Sequence, residues 1–489
     1  MLFSQYKNRS DYSFRFEVAP LSITVAILMV QFFIFKDYTP HVPLIIGICI
    51  TGIFMELKGR KWAEMEKNMY RVMKVALPTT IIILCVGMMI AASIAAGTVQ
   101  TVLKFGLDII SPSIFLPATC ILTTIVSLAT GTSWGTLGTV GLAMLGIGDA
   151  LGIPNYWTIG AICSGSFFGD KMSPLSDTTN LTPAVAGTDV WSHIKSMLPN
   201  TTVAYALTII IYALVSRHYQ GDAGAVANQT REIFQSAITG HYKTGFITLV
   251  PALFVIVMGF RKYSVTGTLC TGIFLAVLIA ICYQGESISR VSDILMNGYK
   301  AQTSQEYVDK LLSKGGIMSM TWVITMMMLS LAFIGALETY GTFRAILGKL
   351  KVLIKSRFSL VATTAMIVLT VGMVAGEIYT SLVLPGRLMK SKYAEMGYDR
   401  AILSRTIEDW GTIVSPLIPW NNGGVFVTTT LGLSTFIYAP FALFCWLSPV
   451  VGLIFAALGW FVPKDPRGPQ TIDDEEMEEI ADDVDDYMV

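Results

Sequence analysis

The sequence predicts an all-α, polytopic membrane protein, and three observations carry that prediction. Of the 489 residues, 53% are apolar and only 14% charged, against about a quarter charged in an ordinary soluble domain. Uncharged stretches long enough to cross a bilayer recur along the chain, and clusters of Gly, Pro, Ser and Thr interrupt several of them. The charge deficit excludes a soluble enzyme, a nucleic-acid binder and a disordered scaffold. Period-2 alternation is absent, which excludes a membrane β-barrel.

A crossing helix needs about 20 uncharged residues, because the hydrocarbon layer is about 30 Å thick and a helix rises about 1.5 Å per residue. Stretches free of Asp, Glu, Lys and Arg run over 38–55, 75–103, 111–148, 150–169 and 196–216. Further stretches run over 244–260, 263–285, 315–337, 358–376 and 410–463. Several exceed one crossing, so the chain is read as roughly 11–13 membrane segments, some of them half-helices or re-entrant hairpins. The first apolar run, 21–35, lacks a small-residue cleavage motif behind it and is expected to be retained. The seven cysteines lie inside apolar runs with no CxxC, where Cys behaves as a small hydrophobe rather than a zinc ligand or disulfide half.

The formal net charge of zero hides an asymmetry. Residues 464–489 carry eleven acids and two bases, leaving 32 bases and 23 acids for residues 1–463. That acidic tail is expected to be disordered and cytoplasmic. Lys7, Arg9 and Arg15 precede the first span, and six bases from Lys58 to Lys74 follow the second. Two crossings between two basic clusters place both clusters, and the N-terminus, in the cytoplasm. Arg261–Lys262 and the bases from Arg344 to Arg357 mark later cytoplasmic loops.

The chain also resembles itself. Gly131-Thr-Ser-Trp-Gly-Thr136 aligns with Gly376-Glu-Ile-Tyr-Thr-Ser381 at an offset of 245, and Gly97-Thr98 aligns with Gly341-Thr342 at 244. Ser173-Pro-Leu175 with Asn180 aligns with Ser415-Pro-Leu417 and Asn422 at 242. A near-constant offset marks an internal repeat. The span after residue 75 leaves a cytoplasmic cluster, whereas its counterpart near 317 runs toward one, so the repeat is expected to be inverted. Inverted repeats with broken helices are the signature of secondary transporters. The expected layout is a cytoplasmic N-terminus (1–20), a transporter body (21–463) with repeats at about 75–216 and 317–463, and the tail (464–489).

Helix-breaking sequence is tolerated in a bilayer only where protein or a cavity surrounds it, so the repeated breaks mark the expected site. Unwound backbone and short oxygen-bearing side chains suit a hard cation such as Na⁺. Half-helix N-termini there would equally favour an anionic group. Intramembrane acids are costly and are ion- or proton-pathway candidates. Asp177, followed by Thr178, Thr179 and Asn180, leads, with helix capping as its alternative reading. Asp409, six residues before Ser415, is taken as its comparable residue, and Na⁺ is expected at Asp177 and Asp409.

Glu377, Thr380, Ser381, Thr132, Ser133, Asn421 and Asn422 are further ion or substrate candidates. Thr136 joins them, and for all the hydroxyl and amide groups packing is an equal reading. Asp170 beside Lys171 reads equally as a proton or ion-pair residue, and Glu408 as a partner of Arg405. Trp134, Trp410 and Trp420 are read as cavity walls or packing residues. His41, His193, His218 and His241 are all assigned to loops.

At these residues the chain resembles the NhaC family of Na⁺/H⁺ antiporters. The likeness rests on the Gly131–Thr136 motif and on Gly169-Asp-Lys-Met-Ser-Pro-Leu-Ser-Asp-Thr-Thr-Asn-Leu-Thr-Pro-Ala-Val-Ala-Gly-Thr188 with His193-Ile194. It rests also on Leu384-Pro-Gly-Arg387, Leu403-Ser-Arg-Thr-Ile-Glu-Asp409 and Ser415-Pro-Leu-Ile-Pro-Trp-Asn421. The resemblance implies a secondary transporter that exchanges cytoplasmic Na⁺ for external protons in a prokaryotic plasma membrane. It also implies relatives that move malate, lactate or amino acids. The chain departs from the family pattern at Trp410, Asn422-Gly423 and Glu377-Ile378, so the likeness specifies the fold more tightly than the solute.

The leading expectation is Na⁺/H⁺ exchange, with cation and proton excluding one another at Asp177, Asp409 or both. The alternative is Na⁺-coupled movement of an organic acid or amino acid. No HExxH, GxSxG or Ser–His pairing supports an enzyme. No cofactor is expected, Na⁺ being transported or coupling ion. The expected partners are Na⁺, H⁺, the bilayer and a second copy in a homodimer, without nucleic acid.

Overall fold

The computed structural model describes residues 13–35, 39–74, 77–109, 111–174, 176–219, 240–261, 263–303, 305, 308–309, 312–350 and 354–469. The expected tail lies almost wholly outside the described residues, as do positions 1–12. Among the described residues the regular structure is helical, with one isolated bridge between Tyr398 and Lys464.

The chain opens with α1 (Phe14–Phe33), α2 (His41–Leu57) and the amphipathic α3 (Trp62–Lys74). Next come α4 (Leu77–Ala95), α5 (Thr98–Ile109), α6 (Phe115–Thr130), α7 (Ser133–Thr136) and α8 (Leu142–Ala150), then α9 (Asn155–Met172), α10 (Asp177–Ala186) and α11 (Val190–His218). Three connecting helices follow: α12 (Phe246–Phe260), α13 (Val265–Ile279) and α14 (Ile288–Asn297). The second half holds α15 (Ile317–Tyr340), α16 (Thr342–Leu350), α17 (Arg357–Ala375), α18 (Ile378–Glu395) and α19 (Arg400–Trp410). It ends with α20 (Asn422–Leu431), α21 (Thr435–Tyr438) and α22 (Leu443–Leu458).

Five of the described helices are long and apolar enough to cross a membrane, and seven if each of two bent pairs is one span. The bends are 65° between α4 and α5 and 96° where the α19–α20 segment meets the helical turns at 435–441. Four shorter apolar helices accompany them. This is a polytopic membrane protein.

Matching starts recur through the two halves. α7 and α18 begin at Ser133 and Ile378, α9 and α19 at Asn155 and Arg400, α10 and α20 at Asp177 and Asn422, and α11 and α21 at Val190 and Thr435. Each pair is 245 residues apart. The sequence match of Ser173 and Asn180 to Ser415 and Asn422, at 242, slips by three residues. The equivalent helix caps are instead Ser176 and Asn421, each accepting a backbone N–H of its own helix. Short polar motifs in irregular connections vary in length, whereas helix ends hold the register.

Helix directions follow from side-chain contacts. α9 lies parallel to α6: Gly165 packs on Cys120, where a Cβ would stand 2.1 Å from the carbonyl oxygen, and Ser173 Oγ donates to Leu128 O at 2.8 Å. Only Gly permits that approach, a small-residue contact typical of membrane helix pairs. α6 is antiparallel to α11 (Leu116 N to Ser216 Oγ, Thr124 to Tyr205). α11 is antiparallel to α22 (Asn200 to Ser448 O, Tyr212 to Leu443 N). α22 is antiparallel to α19, since Gly452 lies against Asp409 and Arg405 Nη1 reaches Phe461 O. Hence α9 and α19, equivalent in order, run in opposite directions.

The structure corrects the loop assignments of the histidines: His41 opens α2, His218 ends α11 and His241 lies in a helical turn. His193 is not a loop residue but fully buried in α11, its Nδ1 2.6 Å from Ser404 Oγ of α19. The polar residues around it in sequence, Ser192, Lys195 and Ser196, mark the first turns of a helix rather than a loop.

Candidate ion site at the helix breaks

Two breaks share one backbone design. α6 ends on Gly131 (φ 69°, ψ 26°) and α17 on Gly376 (φ 63°, ψ 20°), both left-handed. The next residues, Thr132 and Glu377, are extended, and each side chain caps its following helix, accepting from Gly135 N at 3.3 Å and from Thr380 N at 2.7 Å. A left-handed residue favours Gly because it has no Cβ to clash. The residue types differ, yet the same geometry arises from Gly followed by a capping oxygen.

Two further breaks separate α9 from α10 and α19 from α20. Ser176 caps α10, while Thr179 Oγ1 donates to the carbonyls of Asp170 and Lys171, both at 3.1 Å. Asn180 Nδ2 closes the turn onto Pro174 O and Ser176 O at 2.9 and 2.6 Å. Asn421 caps α20 and reaches Gly372 O at 3.1 Å. Asn422 Nδ2 donates to Glu377 Oε1 at 3.3 Å and its N–H to Gly376 O at 2.8 Å. Ser381 Oγ donates to Ile378 O at 2.6 Å. Thr179, Asn180, Glu377 and Asn421 therefore hold the broken ends in place, while Ser381 bonds within the first turn of α18. Trp134, in α7, stacks on Phe426, in α20, with ring centroids 4.9 Å apart, which joins a break in one half to the other half. Trp420 Nε1 donates to Met373 O at 2.6 Å, and Trp410 is half-buried.

The acids divide into two groups, and adjacent residues fall in different ones. Consecutive side chains on a helix point about 100° apart. Asp170 turns toward the first break, where Ser133 Oγ donates to its Oδ2 at 2.6 Å, and its buried Oδ1 has no hydrogen-bond partner. Lys171, its neighbour, turns the other way and pairs with Asp409. On α19, Glu408 faces α10, accepting from Thr178 Oγ1 at 3.1 Å and Thr182 Oγ1 at 2.6 Å. Asp409 faces α11 and α22, accepting from Asn200 Nδ2 at 2.8 Å and Ser448 Oγ at 2.7 Å. Asp170, Lys171, Glu377, Glu408 and Asp409 are all buried. Asp177 begins α10, is exposed, and accepts from Tyr379 of α18.

Several sequence assignments change here. Lys171 pairs with Asp409, not with Asp170. Glu408 does not pair with Arg405, whose Nη1 donates to the carbonyls of Ser196 and Phe461 at 3.1 Å each. Asp409 is not the counterpart of Asp177, because it lies near the end of α19 whereas Asp177 starts α10. A lysine ammonium already stands at Asp409. Among the described residues no three His, Cys, Asp or Glu side chains converge to hold a metal ion. A cation here would be held by a carboxylate together with neutral oxygens.

Asp177 and Glu408 both act on Asp170 electrostatically, which gathers the three around the α9–α10 break with Ser133 and Thr178. Thr182, Asn200, Ser448 and Tyr379 escaped sequence reading. Thr182 had a signal, since it stands one helical turn from Thr178 on the same face. Ser448 and Asn200 look like ordinary polar residues in apolar helices.

Discontinuous helices meeting inside an apolar body, with ionisable groups at their broken ends, define a multi-pass membrane transporter. A model described as the Na⁺/H⁺ antiporter family matches residues 165–460. The chain is 36% identical over 451 residues to the Na⁺/H⁺ antiporter NhaC of Alkalihalophilus pseudofirmus, covering 92% of this chain and 96% of that one. It is 32% identical over 431 residues to the arginine/ornithine antiporter ArcD of Halobacterium salinarum, covering 87% and 88%. It is 32% identical over 435 residues to the malate-2H⁺/Na⁺-lactate antiporter of Bacillus subtilis, covering 89% and 92%. The chain belongs to the Na⁺/H⁺ antiporter family.

Proposed function

We propose that the chain exchanges Na⁺ for H⁺ across a prokaryotic plasma membrane, the two ions competing at Asp170. The observation that carries this reading is the buried Asp170 Oδ1, which lacks a partner beside Ser133 at a helix discontinuity. A buried carboxylate left so must take a proton or a cation. Glu408, with the hydroxyls of Thr178 and Thr182, shares the load, and Asp177 stands at the exposed approach. Asp409 serves differently: with Lys171 it ties the broken ends of α9 and α19. Family membership and the 36% identity to an NhaC antiporter support Na⁺ as the cation.

Alternating access follows from two inverted repeats, about 75–216 and 317–463, supported by the 245-residue recurrence of helix starts and the opposed α9 and α19. Both termini lie in the cytoplasm in this reading, supported by the basic loops, and the protein works as a homodimer with no catalytic step. The test is Na⁺-driven dissipation of a pH gradient in proteoliposomes. Exchange is expected to disappear in Asp170→Asn and Glu408→Gln and to weaken in Asp177→Asn. Full exchange in both of the first two variants would overturn the assignment.

A second reading, exchange of an organic acid or amino acid, is favoured by the 32% identity to antiporters named for arginine/ornithine and malate/lactate. Uptake of labelled malate, lactate and arginine with and without Na⁺ separates the two.

A further inference from the structure

A cavity of about 400 Å³, with no residue of the ion site in its lining, lies between the chain following α14, the start of α15 and the end of α20. Its size is that of a small-molecule pocket. Lys300 and Lys314 line it, together with Ser319 and Thr430, and among the described residues no acid does. Part of its wall is apolar: Ile90, Tyr299 and Met320.

The rim is built rather than loose. Tyr299 N donates to Lys314 O at 3.1 Å, and Gly316 N donates to Gly87 O of α4 at 2.7 Å. Thr430 Oγ1 is buried in this wall without a hydrogen-bond partner. Lys314 is half-buried beside Gly432, where a Cβ would stand 2.8 Å from its ammonium. Asp149 acts on Lys314 through space but does not line the cavity. Among the described residues the other nearby acids are engaged: Asp293 with Asn297 at 2.6 Å, Asp309 with Thr303 N and Oγ1 at 2.6 and 2.7 Å, and Glu286, which acts on Tyr299, with Arg290 at 3.1 Å.

We infer that this cavity binds a small organic carboxylate, Lys300 and Lys314 holding the anionic group while Ile90, Tyr299 and Met320 cover the carbon skeleton. Two ammonium groups repel a cation and match an anion. The unpartnered Thr430 hydroxyl supplies a neutral donor. The apolar wall distinguishes an organic acid from inorganic phosphate, which has no carbon surface to bury. The inference stands apart from the cation reading, because none of these residues belongs to the break cluster.

The test uses the full chain in neutral phosphatidylcholine nanodiscs, with succinate, lactate and inorganic phosphate titrated separately in chloride medium. Saturable binding of succinate or lactate is expected, weakened about tenfold or more in Lys314→Gln and in Lys300→Gln and retained in Lys314→Arg. Na⁺-driven proton exchange in chloride is expected to be unchanged in these variants, which reports that they are folded and tests the cation reading separately. The inference falls if neither acid binds, or if binding is indifferent to both lysines. It falls too if phosphate binds as tightly as the carboxylates, or if a ligand effect arises only when phosphatidylglycerol is added.

Discussion

The ammonium of Lys171, near the end of α9, donates to the carboxylate of Asp409, near the end of α19. Ser448 Oγ lies 2.8 Å from the same ammonium. One buried ion pair thus joins two equivalent, oppositely directed helices at their broken ends. Removing one partner leaves a buried charge uncompensated, at a cost of about 3–5 kcal/mol, whereas replacing both with apolar side chains is far milder. Lys171→Ala should therefore lower the thermal midpoint in detergent sharply, and Lys171→Met with Asp409→Leu should restore much of it. Equal loss in the single and double variants would contradict the pairing.

The hydroxyls on Glu408 should be graded by geometry. Thr182 Oγ1 stands at 2.6 Å and Thr178 Oγ1 at 3.1 Å, and a hydrogen bond to a charged group is worth about 1.5–3 kcal/mol. Thr182→Val should raise the Na⁺ concentration for half-maximal exchange about tenfold or more, and Thr178→Val by less. Initial-rate measurements against Na⁺ concentration in proteoliposomes check the order.

Left-handed backbone at the two breaks predicts a matched pair of effects. An L side chain in that conformation costs about 1–2 kcal/mol, so Gly131→Ala and Gly376→Ala should each destabilise the protein. Gly376→Ala should be worse, since its Cβ would also lie 2.8 Å from Trp420 O. Thermal unfolding of the purified variants gives the comparison.

The Trp134–Phe426 stack should be detectable as a coupling energy. Offset aromatic pairs contribute about 0.5–1.5 kcal/mol beyond area burial. A double-mutant cycle of Trp134→Leu and Phe426→Leu, read by thermal or denaturant unfolding, should return a coupling in that range. Strict additivity would mean that the rings do not stabilise one another.

Asp189, outside the membrane segments, supplies a pH signature. It caps α11, accepting from Trp191 N and Ser192 N at 3.0 Å each, and hydrogen bonding from Ser192 holds its carboxyl below the usual range. A depressed carboxyl favours folding above its unfolded pKa of about 3.9. That contribution is lost as pH falls through the folded value. Asp189→Asn should flatten stability between pH 5 and the acid limit, measured by thermal unfolding at stepped pH, because Asn still caps the helix but does not titrate.

Sequence by itself determined the membrane class, the helical content, the places where helices break and the 245-residue spacing at Gly131 and Gly376. These are local properties: a bilayer rejects charge and unpaired backbone, and Gly followed by a capping oxygen stops and restarts a helix wherever it stands. Only the tertiary structure decided which acids share a site. Asp170 and Lys171 are neighbours in the chain, as are Glu408 and Asp409, yet the turn of about 100° per residue sends each member of a pair to a different partner. Asp170 meets Ser133, 37 residues back, whereas Lys171, Glu408 and Asp409 each find a partner on a helix more than two hundred residues away in the chain. For the same reason Asp409 reads as a free acid in sequence and stands in the fold as the partner of Lys171.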